Sequence, residues 1–267
     1  MPRSRPARAL APTALLLAGL AQALPAAAQT RPLRTEAATT AERGSLGLEV
    51  GFDAIADEPN YLTGLERTRL DLPIFRLTGS PAGNVELDLE WVGRVMALDD
   101  PDFGDVSDWG DVTLRAKWRF AEPREGRSAL AARFSVTLPE TSFGDGLGPN
   151  TLRMSAQLLA TTRVGSARLH LNAGLAIQDD PLRAHEQRDF LHYGVALELP
   201  VGGSLEAVAE IAGFAGNGAP GADERGELRA GFRYGSGAVR VDAAVRRGLQ
   251  DADGTWGGTA GFTWRIR

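Results

Sequence analysis

Apolar and polar side chains alternate one for one along most of the chain after residue 44. Over 45–55, Leu46, Leu48, Val50 and Phe52 alternate with Ser45, Gly47, Glu49, Gly51 and Asp53. Over 85–95, Val85, Leu87, Leu89, Trp91 and Val95 stand opposite Glu86, Asp88, Glu90 and Arg94. Over 111–120, Val112, Leu114, Ala116, Trp118 and Phe120 stand opposite Asp111, Thr113, Arg115, Lys117 and Arg119. A period of two marks a strand with one apolar and one polar face. The same split recurs at 129–138, 151–162, 167–177, 190–199, 204–214, 226–235, 238–247 and 256–266. A further segment, 66–77, sets Leu70, Leu72 and Ile74 against Arg69 and Asp71, and carries Pro73, which removes a ladder donor. Helical spacing fits none of these runs, and twelve strands are expected.

Each run is about ten residues, the length a tilted strand needs to cross the hydrocarbon layer of a bilayer. A soluble sandwich also alternates, so two further features decide. The polar face is dense in full charges while the other face carries almost none. The connections also alternate in length: short ones at 79–83, 122–126, 165–166, 201–203 and 235–237, and mostly longer ones, rich in Asp, Gly and Pro, between the other pairs. Short periplasmic turns facing longer external loops are the pattern of an outer-membrane barrel. The expected fold is therefore all-β, a transmembrane antiparallel up-and-down β-barrel of about twelve strands with both ends periplasmic. On the outward faces, Trp118, Phe120, Tyr234 and Trp264 fall at periplasmic strand ends, and Phe52, Tyr193 and Trp256 at external ends. Two aromatic girdles are what a wall meeting lipid headgroups requires.

Composition adds the address. Arg3, Arg5 and Arg8 precede an apolar run from Ala9 to Leu20, and Ala26-Ala27-Ala28 offers a small-residue cleavage site. Residues 1–28 are expected to be a signal peptide, 29–44 a polar extension and 45–267 the barrel, placing the mature protein in the bacterial outer membrane. The leader holds three of the 29 basic residues and none of the 34 acidic ones, leaving 26 against 34, a net charge of −8. That balance argues against a nucleic-acid partner. With no cysteine, disulfides, thiolate metal sites and a lipobox are excluded. The end of the chain, with Thr259, Gly261, Trp264 and Ile266, resembles the C-terminal signal read by the barrel-assembly machinery, although an Ile and a trailing Arg replace the usual terminal Phe. Expected partners are that machinery, outer-membrane lipid and a small-molecule solute.

Polar chemistry concentrates on the inward faces. Glu86, Asp88 and Glu90 face Arg115, Lys117 and Arg119 on the next strand; later strands offer Glu206 and Glu210, then Glu227, Arg229 and Arg233, then Arg240, Asp242 and Arg246. Opposite charges across strands stabilise a sheet and lower the cost of ions in a narrow lumen. Arg133, Arg153 and Arg168 are expected to continue a basic side between these regions. A barrel of this size lies between side-chain-filled and open ones, so the charges fit either a narrow pore or a salt-bridged plug. The acidic run Asp99, Asp100, Asp102, Asp105, Asp108 and Asp111 reads as a solvated external loop, since its spacing departs from the calcium-loop pattern; no metal or other cofactor is expected. His170 and His192 face inward on adjacent strands, with Ser155 the best inward serine. A nucleophile needs a base within hydrogen-bond reach, and without a clear one no enzyme activity is expected. Residues 29–44 fit either a periplasmic tail or a plug in the barrel mouth.

The order of segments resembles the outer-membrane transporter family named after the meta-pathway of phenol degradation. Three stretches carry it: Gly44 to Glu49; Leu72-Pro73-Ile74-Phe75 with Asn84 to Leu87; and Trp109 to Phe120. Leu138-Pro139-Glu140-Thr141 and the Gly-rich loop to Gly148-Pro149-Asn150-Thr151 follow in the same order. The resemblance implies a porin-like channel passively transporting small solutes, aromatic or other hydrophobic acids among them, and it supplies no catalytic residues. The alternatives are a lipid-modifying barrel enzyme and a structural barrel with a plugged lumen.

Overall fold

In the computed structural model, residues 31–124 and 127–266 are described; the expected signal peptide lies outside them. The chain folds into strands β1 (Leu46–Pro59), β2 (Glu66–Ala82), β3 (Val85–Val92), β4 (Val95–Asp100), β5 (Gly104–Asp108), β6 (Val112–Ala121) and β7 (Ala129–Leu138). Seven more follow: β8 (Arg153–Val164), β9 (Ala167–Asp179), β10 (Gln187–Gly202), β11 (Leu205–Gly216), β12 (Arg225–Ser236), β13 (Val239–Gly248) and β14 (Trp256–Arg265). Neighbours pair antiparallel, and β1 pairs with both β2 and β14, closing the sheet on itself. The first–last seam runs from Gly47↔Arg265 to Ile55↔Gly257. β4 and β5 form a hairpin that prolongs β3 and β6 beside the upper part of β2, so the wall itself has twelve strands.

The barrel has two unlike rims. At one, the turn rim, connections are as short as Gly165-Ser166 and Gly237-Ala238. Gly165 and Gly237 have φ of 62° and 69°, the left-handed conformation a two-residue hairpin turn demands and glycine supplies without strain. β2, β10 and β12 run one to five residues further into their turns than the alternation indicated. At the other, loop rim, segments 60–65, 139–152, 180–186 and 217–224 join the strands. The faces are inverted relative to a soluble protein. Leu175, Phe232 and Val245 stay more than half exposed on the outer wall, while Glu86, Lys117, His170 and Arg233 are buried inside. Apolar surface left uncovered around a whole barrel is stable only against lipid. The seven aromatics assigned to the two girdles all lie on the outer face; the Tyr193 ring lies flat there, its hydroxyl over Gly213 and Gly226.

Three adjacent strands depart from strict alternation at one height. Opposite β1, Gly51 pairs with Ile74 and Asp53 with Asp71, so Leu72 and Pro73 together face Phe52 as a bulge. Pro73 has no N–H to give, and instead its carbonyl accepts from Gly93 N–H at 2.8 Å while Leu72 N–H donates to Arg94 O at 2.9 Å. A Cβ at Gly93 would lie 3.1 Å from Pro73 Cδ, tighter than most Cβ contacts, so a side chain here would press on the proline. Between β5 and β6, Gly110 N–H donates to Val92 O at 2.9 Å and makes the third break. Each break exchanges inside for outside. Ile74 and Val95, expected on the outer wall, therefore point inward, and Arg94, expected inside, lies outside over the Trp109 ring at 5.5 Å.

The acidic stretch 98–111 is a second correction. It forms the end of β4, β5 and the turn between them rather than an irregular loop, with Asp99, Asp102 and Asp105 exposed and the other three carboxylates drawn in. Its carboxylates accept backbone N–H groups: Asp100 from Asp102 and Phe103, Asp108 from Ser142, and Asp111 from Glu140 and Thr141.

Candidate functional site

Apart from Arg94, the charged and histidine side chains that alternation placed inward face the lumen, and the structure sorts them by partner. In β3 and β6, Glu86 is paired with Lys117 at 2.6 Å. Asp88, opposite Arg115 in register, is taken by Arg76 of β2, and Arg115 turns to Glu90 at 2.9 Å. Arg119 donates to the Gly83 carbonyl at the turn rim. On the far side, Glu198 and Glu206 gather Arg168, Arg233 and His170, with Arg240 3.6 Å from Glu206. Glu227 joins Arg229 at 2.7 Å and Arg246 at 2.9 Å, and Asp242 lies 3.5 Å from Arg31. The expected continuous basic side does not exist. Arg133 and Arg168 are neutralised by carboxylates, and Arg153 differs from both.

The partner that alternation could not foresee is the extension itself. Residues 31–44 have no strand partner of their own and run around the inside of the wall. The Arg31 guanidinium donates to Thr259 Oγ1 and Ala260 O at 2.7 Å each on β14. It sits where Gly51 and Gly261 pair across the seam, and a Cβ on either would overlap it. Arg233 and Arg229 of β12 hold the carbonyls of Arg31 and Pro32. Glu210 of β11 accepts the N–H groups of Arg34 and Thr35 at 2.7 and 2.8 Å. Asn172 of β9 bonds both backbone groups of Glu36, and Thr161 of β8 accepts Ala38 N–H. Ala41 N–H reaches Glu86 of β3, and its carbonyl accepts from Ser80 of β2. In this way, a segment without its own ladder satisfies its backbone polar groups inside the barrel.

Glu36 is the hub. Its carboxylate meets Arg133 at 2.5 Å, Arg76 at 2.6 Å and Lys117 at 3.5 Å, from three strands of the wall. Apolar contacts support it on either side: Leu33 on Ala196 and Val208, and Ala38 on Ala129, Ala131 and Leu159.

Residues 31–36 thus floor a cavity of about 440 Å³, within the size range of small-ligand sites. Of the candidates, Glu90, Arg115, Arg133, Arg153, His192, Arg229 and Arg246 line it; the others lie toward the turn rim, below the floor. Its roof is made by loops folded inward. Leu147 packs on Val95 and Ala97, and Arg67 and Arg69 hold the carbonyls of Gly146 and Leu147. Tyr61 donates to Gly148 O at 2.8 Å, and its ring borders Gly221 of the loop beyond. Burial there pushes the Tyr61 phenol up to about 12.

The histidines and serine do not assemble. His170 Nδ1 lies 2.9 Å from Thr161 Oγ1 and its Nε2 3.2 Å from Glu198, while Ser155 Oγ lies 2.6 Å from Ser135 Oγ. His192 rests on the Phe214 ring, 4.3 Å between centroids. No hydrogen bond links Ser155 to either histidine among the described residues.

A closed twelve-strand antiparallel barrel, apolar outside and charged inside, is the fold of outer-membrane β-barrel proteins. Among solved structures the chain is similar to an outer membrane channel from Pseudomonas putida F1, with a TM-score of 0.64 at 18% identity over 85% of this chain and 97% of that one. It is also similar to the β domain of the Bordetella autotransporter BrkA (TM-score 0.53, 12% identity, 84% and 100% covered). The translocator domain of the autotransporter NalP from Neisseria meningitidis is comparable (TM-score 0.51, 16% identity, 83% and 88% covered). At these identities the likeness establishes the fold. No family model and no curated protein matches the sequence.

Proposed function

We propose that the chain, cleaved of its leader and inserted in the outer membrane by the barrel-assembly machinery, is a channel passively admitting small solutes, aromatic or other hydrophobic acids among them. The turn rim is then periplasmic and the loop rim external. The observation that carries the reading is the cavity between the inward-folded loops and the floor of residues 31–36, polar enough to receive a charged group and set in the path across the wall. The likeness to an outer membrane channel and the resemblance of the motif order to that of the meta-pathway family support it. On this reading the extension narrows the path, and the lumen charges below the floor form its periplasmic end.

A second reading, a structural barrel with a sealed lumen, is favoured by the closeness with which residues 31–44 are bonded to the wall. Planar-bilayer recording separates the two. The channel predicts small discrete conductance steps for the intact protein and larger ones after deletion of residues 31–44. Silence from both, with each shown by heat-modifiable migration on a detergent gel to be a folded barrel, overturns the channel.

A further inference from the structure

One arginine in the cavity breaks the rule the others follow. Arg31, Arg34, Arg69, Arg115, Arg225 and Arg246 each have a carboxylate oxygen within ion-pair distance. So do the cavity's remaining arginines except Arg153, at the start of β8, which makes no ion pair among the described residues. The acid that acts on it most strongly, Asp111, is already committed, its Oδ1 accepting from Glu140 N–H, Thr141 N–H and the Thr141 hydroxyl at 2.9 to 3.2 Å. What Arg153 does have is an aromatic neighbour: its guanidinium carbon lies 5.6 Å from the centre of the Phe214 ring. His192 stacks on that same ring, its Nδ1 buried without a protein partner, and Phe190 meets it edge-on at 6.3 Å.

We propose that Arg153, His192 and Phe214 form a binding site for a small monocarboxylic acid with a planar apolar body. It deepens the channel reading, on which it rests, by naming the residues that hold the solute. A half-buried cavity guanidinium without an ion-pair partner has donors to spare, and a carboxylate supplies both the charge and the planar pair of acceptors it fits. The imidazole of His192 offers a further polar contact, and the exposed part of Phe214 receives the apolar body. Affinity in such a site depends on charge and ring together. An acid without a ring and a ring without an acid each satisfy half of it.

Equilibrium binding of benzoate to the detergent-solubilised barrel, by calorimetry or saturation-transfer NMR, tests this without requiring passage. Benzoate is expected to bind, and benzyl alcohol and acetate to bind at least about ten-fold more weakly. Arg153→Gln is expected to lower benzoate affinity by about ten-fold or more, Arg153→Lys by less, and Arg240→Gln, below the floor, not at all. Arg153→Lys also preserves the test if the glutamine variant fails to show heat-modifiable migration. Absent benzoate binding overturns the site, as does equal binding of benzyl alcohol or an equal loss in Arg240→Gln. Binding with the expected pattern beside silent bilayers would overturn the channel and leave the site standing.

Discussion

Two glycines facing each other across the first–last seam show how much a missing Cβ accomplishes here. Gly51 and Gly261 sit on inward positions, and the space they leave is the berth of Arg31. Gly194 does the same for Thr35 on β10. Gly51→Leu, whose Cβ would meet the Arg31 guanidinium first, is therefore expected to expel Arg31 while leaving the strand pairing intact. Protease trimming of the extension should then become fast in a barrel that still migrates as folded. Glu36→Gln acts on the same segment through charge. It leaves Arg133 without a carboxylate and removes one partner of a buried network, a change that costs about 3–5 kcal/mol in buried pairs. The expected readout is a larger single-channel conductance together with a lower unfolding temperature in detergent.

At the scale of elements, the decisive event is the shared break at Pro73, Gly93 and Gly110. Alternation carries a strand's faces faithfully until one residue too many is inserted, and then every later side chain changes sides. Pro73 was visible in the sequence as a fault in its strand. Gly93 and Gly110 gave no comparable signal, because their role depends on which strands lie beside them. The reversal turns Val95 and Ala97 inward to receive Leu147, and so helps to fold loop 139–152 over the mouth. Tyr61 ties that roof together. Its phenol is held up at about 12 against about 10 in an unfolded chain, so its contribution is complete below pH ~10 and is lost as pH rises through about 12. Tyr61→Phe should abolish this alkaline step in unfolding titrations and speed hydrogen exchange in residues 143–148; an unchanged step would place its origin elsewhere.

For the whole molecule, strand number, closure, the apolar belt and the inward charges were all legible in the residues. A lipid-facing wall and a polar lumen impose period two on every strand, and the outer wall and lumen are each continuous around the barrel. The candidate site was legible only in outline. Alternation placed Arg153 and His192 inside but could not distinguish Arg153 from Arg133 or Arg168, because pairing across a lumen joins strands remote in sequence. Conductance of the intact and extension-deleted proteins is the measurement that belongs to this scale.

By itself, then, the sequence determined which side of the wall nearly every strand residue occupies, since that depends only on neighbours in the chain and the medium on each side. The tertiary structure alone decided that residues 31–44 turn inward, that three strands exchange faces at one height, and that, among the described residues, one cavity arginine is left without an ion pair. Those outcomes depend on contacts closed across the barrel. Arg31 lies against Thr259, and Arg76 and Arg133 converge on Glu36, only once β14 has met β1.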